Sequence, residues 1–532
     1  MRRLAVVGIG VIASLVVVAA TVAERLLVIR ACAGEYIFPI DDTYIHLAMA
    51  KNLVLHGVWG VEPGTMAFCS SSPLWTLLLS AFSAVFGIGE LLPWLLSLGF
   101  NILSVAVVVV LLSRMGASAW LCLFGSLVVA LAGPFVPTTA LGMEHAMHSF
   151  FVLAAIAAAE RLLGSRKRDM VIACIMAAAA TATRYESLFL LLPLGLGIAG
   201  IEAYELWRGH RRPFPLRSIV LLACSVSPVI LYGVWALVNG GHFLPNSLLL
   251  KGHFMSVGDL FRTMGELFGS VRPGCGFLYL LGLTLGVVAF MTGTITPFYW
   301  RVTAVSCIVA IGGQLLFADV GQLCRYEAYL TTAGAFVVVV CVASGGLSRV
   351  LSARYGSIAI FILTGWVFLS RAGRSFGEAV HSSSDIFNQQ VQMTRMMAAL
   401  PEKDRGCVAL NDLGYMALCG EFPIFDMWGL GSQDMTELLL KHRGVCKRED
   451  YVRLFPKHEV KYVVAFEKWY PLGLMPDGTI DVATLTLKDN FACGADTVVF
   501  RATTPDAADR LQRHLETYVD KMPPRSRLWL CR

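Results

Sequence analysis

Glu35 to Trp75 reads EYIFPIDDTYIHLAMAKNLVLHGVWGVEPGTMAFCSSSPLW, and the reading of this stretch decides the fold. It lies between a first hydrophobic run, Leu4 to Ala23, and a long hydrophobic body. It carries adjacent carboxylates at Asp41 and Asp42, histidines at His46 and His56, and a turn-rich tail with Gly57, Gly60, Pro63 and Gly64. So many polar groups between lipid-soluble runs are costly to hold in hydrocarbon. The expectation is an extracytoplasmic catalytic loop, residues 30–75, centred on the carboxylate pair.

Outward from this loop the chain is apolar. Its mean hydropathy is +0.66, and only 15% of its 532 residues are charged, against roughly 25% in a soluble domain. The composition is that of a polytopic membrane protein. A net charge of +6, scattered along the chain, does not point to nucleic acid; it fits the Lys and Arg excess of cytoplasmic loops. Met1-Arg2-Arg3 precedes Leu4–Ala23, which is nearer the roughly 20 residues of a span than the about 7–15 apolar residues of a signal peptide. An uncleaved first helix with a cytoplasmic N-terminus is expected.

Further spans are expected near 91–113, 118–137, 141–163, 169–183, 187–203, 218–239, 276–294, 301–318, 327–346 and 355–371. Pro73 to Gly87 is short for a span and suits an interfacial or re-entrant helix. Parity supports this. Without a crossing there, the basic loops Arg166–Arg168, Arg208–Arg217 and Arg349–Arg354 all fall in the cytoplasm, as the positive-inside rule requires. About eleven transmembrane helices result, in a catalytic domain over residues 1–371. The C-terminus is then outside.

Residues 372–532 are expected to form a soluble extracytoplasmic α/β domain. Asp385–Leu400 reads as a helix, Cys407–Leu410 and Tyr462–Phe466 as strands, and Leu413–Leu418 as a helical turn. The 14 cysteines include no CxxC and no zinc spacing. A Cys407–Cys419 bridge is one pairing open to the five cysteines of this domain.

The topology sets several polar clusters on the outer side. They are Asp41-Asp42, Gly142-Met143-Glu144-His145, Arg184-Tyr185-Glu186, His242–Lys251 and Asp319–Glu327. Each has a plainer reading. The acidic pair suits a helix N-terminus. Glu144 reads as an interfacial flank, Arg184 with Glu186 as a membrane-end ion pair, and Asn246 as a cap. Lys251 reads as a snorkelling side chain, Arg325-Tyr326 as an interface anchor, and His46 and His56 as ordinary hydrogen-bonded or surface residues. Their convergence on one interface is the signal.

In order along the chain, these residues resemble GT-C glycosyltransferases that use polyprenyl-phosphate sugars, in particular bacterial mannosyltransferase-like and mycobacterial arabinofuranosyltransferase-like members. The first loop carries the acidic pair, then Gly57 to Gly64, then Ser70 to Leu78. Gly142-Met143-Glu144, Thr183-Arg184-Tyr185-Glu186, Pro245-Asn246-Ser247 with Lys251, and Arg325-Tyr326 follow. Asn411-Asp412-Leu413-Gly414 and Asp426-Met427-Trp428-Gly429-Leu430 resemble C-terminal segments of the family. Tyr185 and Ser187 depart from the Pro and Gly of the family's motif.

The resemblance implies a hexosyl- or pentosyltransferase of the bacterial inner membrane. Its partners would be a polyprenyl-phosphate sugar donor, a glycan, lipid or protein acceptor, and membrane lipids. Such a transfer needs a base for the acceptor hydroxyl, here Asp42 or Asp41, and cations for the leaving phosphate, here Lys251, Arg325 and Arg184. Glu144, Glu186 and Asn246 would bind sugar hydroxyls. Tyr326, His46 and His56 complete the candidate substrate-binding set, and Trp428, Trp469 and Tyr470 are candidates for stacking on sugar rings. Direct displacement inverts the anomeric centre. A divalent cation at the acidic pair stays open, although two carboxylates alone hold one poorly. The alternative is a lipid or solute transporter, which would place charges near the bilayer midplane in repeated halves; a sensor would leave the acidic pair without a task.

Overall fold

The computed structural model describes residues 2–163, 167–208, 216–251, 275–291, 297–346 and 355–531. The apolar runs are helical. They form α1 (Arg2–Ala31), α4 (Leu91–Arg114), α5 (Ala119–Ala132), α7 (His145–Ala159), α8 (Lys167–Thr183), α9 (Leu188–Trp207), α10 (Leu216–Val238), α12 (Gly276–Met291), α13 (Phe298–Phe317), α14 (Ala328–Cys341) and α15 (Tyr355–Ile386). Shorter helices lie between them: α2 (Asp42–His56), α3 (Pro73–Phe86), α6 (Phe135–Ala140) and α11 (Asn246–Lys251). Among the described residues, five stretches are long and apolar enough to cross a bilayer: Ala5–Ala31, Leu91–Arg114, Tyr185–Trp207, Leu216–Val238 and Phe298–Phe317. Pro73–Phe86, Ala119–Ala132, Gly276–Phe290 and Ala328–Ser344 are apolar but shorter. Along α1, Val7, Leu15 and Leu26 are at least 60% exposed, a face that lipid rather than water would cover. The chain is a polytopic helical membrane protein with a C-terminal α/β domain.

Two expected boundaries shift. The run at 118–137 is not one helix: α5 ends at Ala132 and α6 starts at Phe135, across Gly133-Pro134. Proline has no N–H to continue the ladder. A side chain at Gly133 would stand 2.1 Å from Thr332 Oγ1, so the break also brings two helices close. Beyond residue 371, helix continues over 372–384, where none was expected, and joins the helix expected at Asp385–Leu400. It runs unbroken through α15 to Ile386, a π-turn at Phe387–Val391 and α16 (Gln392–Ala398).

Two compact units emerge, each built from separated segments. The first comprises Met1–Glu24, Pro93–Tyr232 and Gly252–Glu378; the second comprises Arg25–Leu92, Gly233–Lys251 and Ala379–Arg532. The second holds a six-stranded sheet of β1 (Cys407–Leu410), β2 (Ile424–Asp426), β3 (Val460–Phe466), β4 (Ile480–Leu487), β5 (Thr497–Ala502) and β6 (Ser526–Leu530), ordered β2-β1-β3-β5-β4-β6. β1 pairs in parallel with β2 and β3; the other pairs are antiparallel. α17 (Gly414–Cys419), α18 (Gln433–Lys441), α19 (Arg448–Lys457) and α20 (Pro505–Glu516) complete the domain. β1 is buried along its whole length. Ala409, Phe425 and Val463 from three neighbouring strands join Met435, Leu454, Phe455 and Tyr470 in one core.

Candidate active site

In the second unit the first loop folds onto the C-terminal domain through Asp41. The residue precedes α2 but does not cap it, because its side chain accepts no hydrogen bond from that helix. Its Oδ2 instead accepts from the Gly414 N–H at 2.5 Å and its Oδ1 from the Tyr415 N–H at 2.8 Å. Asp41 thus serves the N-terminus of α17, a helix far away in sequence, where the exposed N–H groups favour a carboxylate. Burial pushes its pKa well above the usual carboxylate range; Asp412 and Asp42 add to the rise, and the Tyr415 and Gly414 N–H groups oppose it. Tyr44 stacks edge-on against Tyr415 with centroids 4.8 Å apart, and Lys51 Nζ donates to the Leu418 carbonyl at 2.9 Å. The face of α2 is fastened to α17 at three levels.

Asp42, the first residue of α2, is half-buried. His46 is buried, with Nδ1 3.0 Å from Thr76 Oγ1, which itself bonds Ser70. His56 ends α2 on the exposed side, where Gly57 closes the helix in the left-handed region at φ 67°. Asn246 starts α11 and is buried. Its Nδ2 donates to the Leu430 carbonyl at 3.1 Å, while its Oδ1 has no hydrogen-bond partner among the described residues. Lys251 ends that helix, and its side chain lies outside the described residues.

Asp426 anchors the loop after β2. It accepts from the N–H groups of Trp428 at 2.8 Å and Gly431 at 2.7 Å, around Gly429 at φ 85°, a conformation glycine adopts without strain. Burial pushes Asp426 up to about 6 against these backbone bonds. Of the three aromatic candidates, Tyr470 belongs to the core and donates to the Met427 carbonyl at 3.2 Å. Trp428 and Trp469 pair with centroids 5.2 Å apart, and Trp469 is exposed.

The first unit gathers the remaining candidates. Gly142, at φ 60°, turns the chain before α7. Glu144 then accepts from Arg184 Nη1 at 2.7 Å, and Glu186 accepts from Arg184 Nη2 at 2.5 Å. Arg184 is extended between α8 and the short 3-10 turn Tyr185–Ser187, so one guanidinium reaches both carboxylates. The ion-pair reading of Arg184 and Glu186 holds, with Glu144 as a third member. Arg325 donates to Tyr326 Oη at 2.8 Å, to Gln322 Oε1 and to Met143 Sδ. The Arg184 and Arg325 guanidinium carbons lie 5.8 and 4.7 Å from the Tyr326 ring centroid, so two cations share one aromatic ring. Glu144, Arg184, Glu186, Arg325 and Tyr326 therefore form one cluster, in which Glu144, Arg184 and Arg325 are buried and Glu186 and Tyr326 half-buried.

Two residues beside this cluster, His148 and Arg371, were not singled out from sequence. His148 hydrogen-bonds Ser187 Oγ at 2.7 Å, and Glu327 pairs with Arg371. His148 sits one helical turn after Glu144, a spacing that could have found it. Arg371 lies too far along the chain for any local signal. Among the described residues no three His, Cys, Asp or Glu side chains are grouped to hold a metal ion. Both Asp41 oxygens already accept N–H bonds. No disulfide forms among the described residues, and Cys407 and Cys419 are free thiols, one buried on β1 and one exposed at the end of α17.

Residues 384–509 match the model of a domain of unknown function, DUF8728. No curated protein matches the chain. Among solved structures, ArnT from Cupriavidus metallidurans, with undecaprenyl phosphate bound, is similar over 92% of this chain and 98% of its own, at 12% identity and a TM-score of 0.53. The Archaeoglobus fulgidus oligosaccharyltransferase aligns over 97% of this chain and 78% of its own, at 14% identity and a TM-score of 0.48. The mycobacterial arabinofuranosyltransferase AftD aligns over 92% of this chain and 41% of its own, at 12% identity and a TM-score of 0.44. The chain has the GT-C fold that its motifs resemble.

Proposed function

We propose that this GT-C-fold protein is an inverting glycosyltransferase that moves a sugar from a polyprenyl-phosphate donor to a hydroxyl of a cell-envelope acceptor. The observation that carries the reading is the cluster about the half-buried Tyr326, where two buried guanidinium groups converge in a helical membrane unit. Arg presents paired donors to phosphate oxygens, and a lipid-linked phosphate is the anion a membrane unit would meet. ArnT, which has a similar fold, is seen with undecaprenyl phosphate bound, the kind of lipid phosphate that such a donor would leave behind.

In this reading Arg325, supported by Arg184 and Lys251, receives the charge left on the phosphate as the anomeric carbon–oxygen bond breaks. Glu144, Glu186, Asn246 and Tyr326 contact sugar hydroxyls, and His46 and His56 flank the acceptor side. Asp42 takes the proton of the attacking hydroxyl, since Asp41 already accepts two backbone N–H bonds. Attack opposite the leaving phosphate inverts the anomeric centre. Residues 1–371 form the catalytic transmembrane part with its outer loop at 30–75, and residues 372–532 the outer domain. The N-terminus lies in the cytoplasm.

The test is transfer by the detergent-purified protein from a panel of radiolabelled polyprenyl-phosphate hexoses and pentoses to membrane acceptors. Asp42→Asn is expected to lower the rate by about 10²–10⁴-fold, the usual worth of a general base, with an unchanged melt. Transfer at the wild-type rate by this variant would overturn the assignment of the base. An inactive wild type over the whole panel would overturn the function.

A further inference from the structure

Between α13 and α14 the backbone turns left-handed. Gly321, Gln322, Leu323 and Cys324 follow one another at φ 98°, 46°, 61° and 62°. Residues other than glycine visit this region singly as a rule, because Cβ crowds the next carbonyl oxygen. A run of them persists only where its surroundings hold it, and such strain gathers at working parts of a protein. The residue that follows this run is Arg325.

Two side chains one turn apart on α15 hold the run at its two ends. At the start, Glu327 Oε2 accepts from the Gly321 N–H at 2.8 Å, while its Oε1 pairs with Arg371. At the end, Cys324 Sγ lies 2.9 Å from Ser375 Oγ, which donates to the Arg371 carbonyl at 2.8 Å. Glu327, Cys324 and Ser375 are buried, and the Arg371 guanidinium lies 3.9 Å over the Phe277 ring of α12. Between these anchors the turn reaches the Tyr326 cluster. Gln322 Oε1 accepts from Arg325 and, at 2.8 Å, from Tyr326 Oη.

A plainer role for Glu327 and Arg371 is to tie α14 to α15. That tie uses one carboxylate oxygen, and a buried ion pair adds little net stability over an apolar pair of its size. The second oxygen goes to the first N–H of the turn, a bond the tie does not need. Arg371 is itself a poor phosphate ligand, since a buried carboxylate already matches its charge. We propose that Glu327 and Arg371 are positioning residues, which pin the left-handed turn and so aim the Arg325 guanidinium at the lipid phosphate. That the target is a lipid phosphate rests on the glycosyltransferase reading; the pinning does not.

The experiment uses the full-length protein in detergent, with undecaprenyl phosphate and undecaprenol as probes. The two lipids differ in the phosphate alone, so the ratio of their affinities reads the cations. Arg371→Gln and Glu327→Gln each break the pair. Gly321→Ala disturbs the turn alone, because a side chain there meets nothing within 4 Å but is disfavoured at φ 98°. All three variants are expected to bind undecaprenyl phosphate about tenfold more weakly. Undecaprenol binding stays unchanged, and amide exchange rises over residues 321–327. Equal loss for both lipids, or loss for neither, would mark a merely structural pair and overturn the proposal. So would tighter phosphate binding by Glu327→Gln, since Arg371 released from its partner would then be a direct ligand. Should loss of a buried charge prevent folding, Gly321→Ala decides alone. Exchange separates the pinning from the reading beneath it. A wild type that binds both lipids equally removes the phosphate from the cluster, and faster exchange in the variants still keeps the pinned turn. Unchanged exchange beside an intact phosphate preference removes the positioning role and leaves the phosphate site.

Discussion

Asp41 and Asp42 are chain neighbours with opposite surroundings. Asp41 is buried and holds two N–H groups of α17, while Asp42 is half-buried at the start of α2. Asparagine at position 41 keeps one acceptor and sets an amide against the other N–H. Asp41→Asn is expected to cost about 1–3 kcal/mol of stability, read from thermal or denaturant melts, whereas Asp42→Asn leaves the melt unchanged. Asp426 gives a pH signature of its own. Its pKa is about 6 in the folded protein, against about 3.9 unfolded, so the folded state binds more protons between these values. Stability contributed by this group is full below about pH 4 and falls by about 3 kcal/mol as the pH rises through 6. Asp426→Asn should flatten the slope of stability against pH in that window, as pH-resolved melts would show. The sequence marked both acidic residues as noteworthy. It did not show what they bond to, because the partners of Asp41 lie hundreds of residues away and those of Asp426 are backbone groups.

At the scale of elements, α17 shows why a glycine stands where it does. A side chain at Gly414 would come within 2.1 Å of the Asp41 carbonyl oxygen and 2.7 Å of its Oδ2. The first is backbone and cannot swing aside. Gly414→Ala is expected to destabilise by about 3 kcal/mol, at the upper end of overpacking, and to lower amide protection over α17 in hydrogen exchange. Gly473→Ala, where nothing lies within 4 Å, is the matched control and should be near neutral. The helices were legible because long apolar runs leave few alternatives in a membrane. β1 and part of β3 were legible as short runs rich in Val and Phe. β4 was missed because Asp481 and two threonines dilute its apolar residues, and β6 because Arg527 and Trp529 point to the exposed face. In both, packing decides the strand more than local preference does.

At the scale of the molecule, the soluble-looking end of the chain is not self-sufficient. The second unit takes in Arg25–Leu92 and Gly233–Lys251 besides Ala379–Arg532. Glu62 bonds the backbone of β2, and Asn246 bonds that of Leu430. A fragment of residues 379–532 made alone is expected to lose protection first at α17 and at the Asp426 loop, as hydrogen exchange against the full chain would reveal. Composition gave the membrane class, and the order of short motifs gave the likeness to the GT-C fold. Neither could give this interleaving, since no local pattern records which distant segments share a core. The bond from Asp41 to Gly414 spans 373 residues, and this has a consequence in time. Synthesis proceeds from the amino end at about 5–20 residues per second. The ribosome therefore finishes the first loop about twenty seconds to a minute before it makes the groups that hold it. A chain whose translation stops short of Gly414 would carry every motif of that loop and never assemble it.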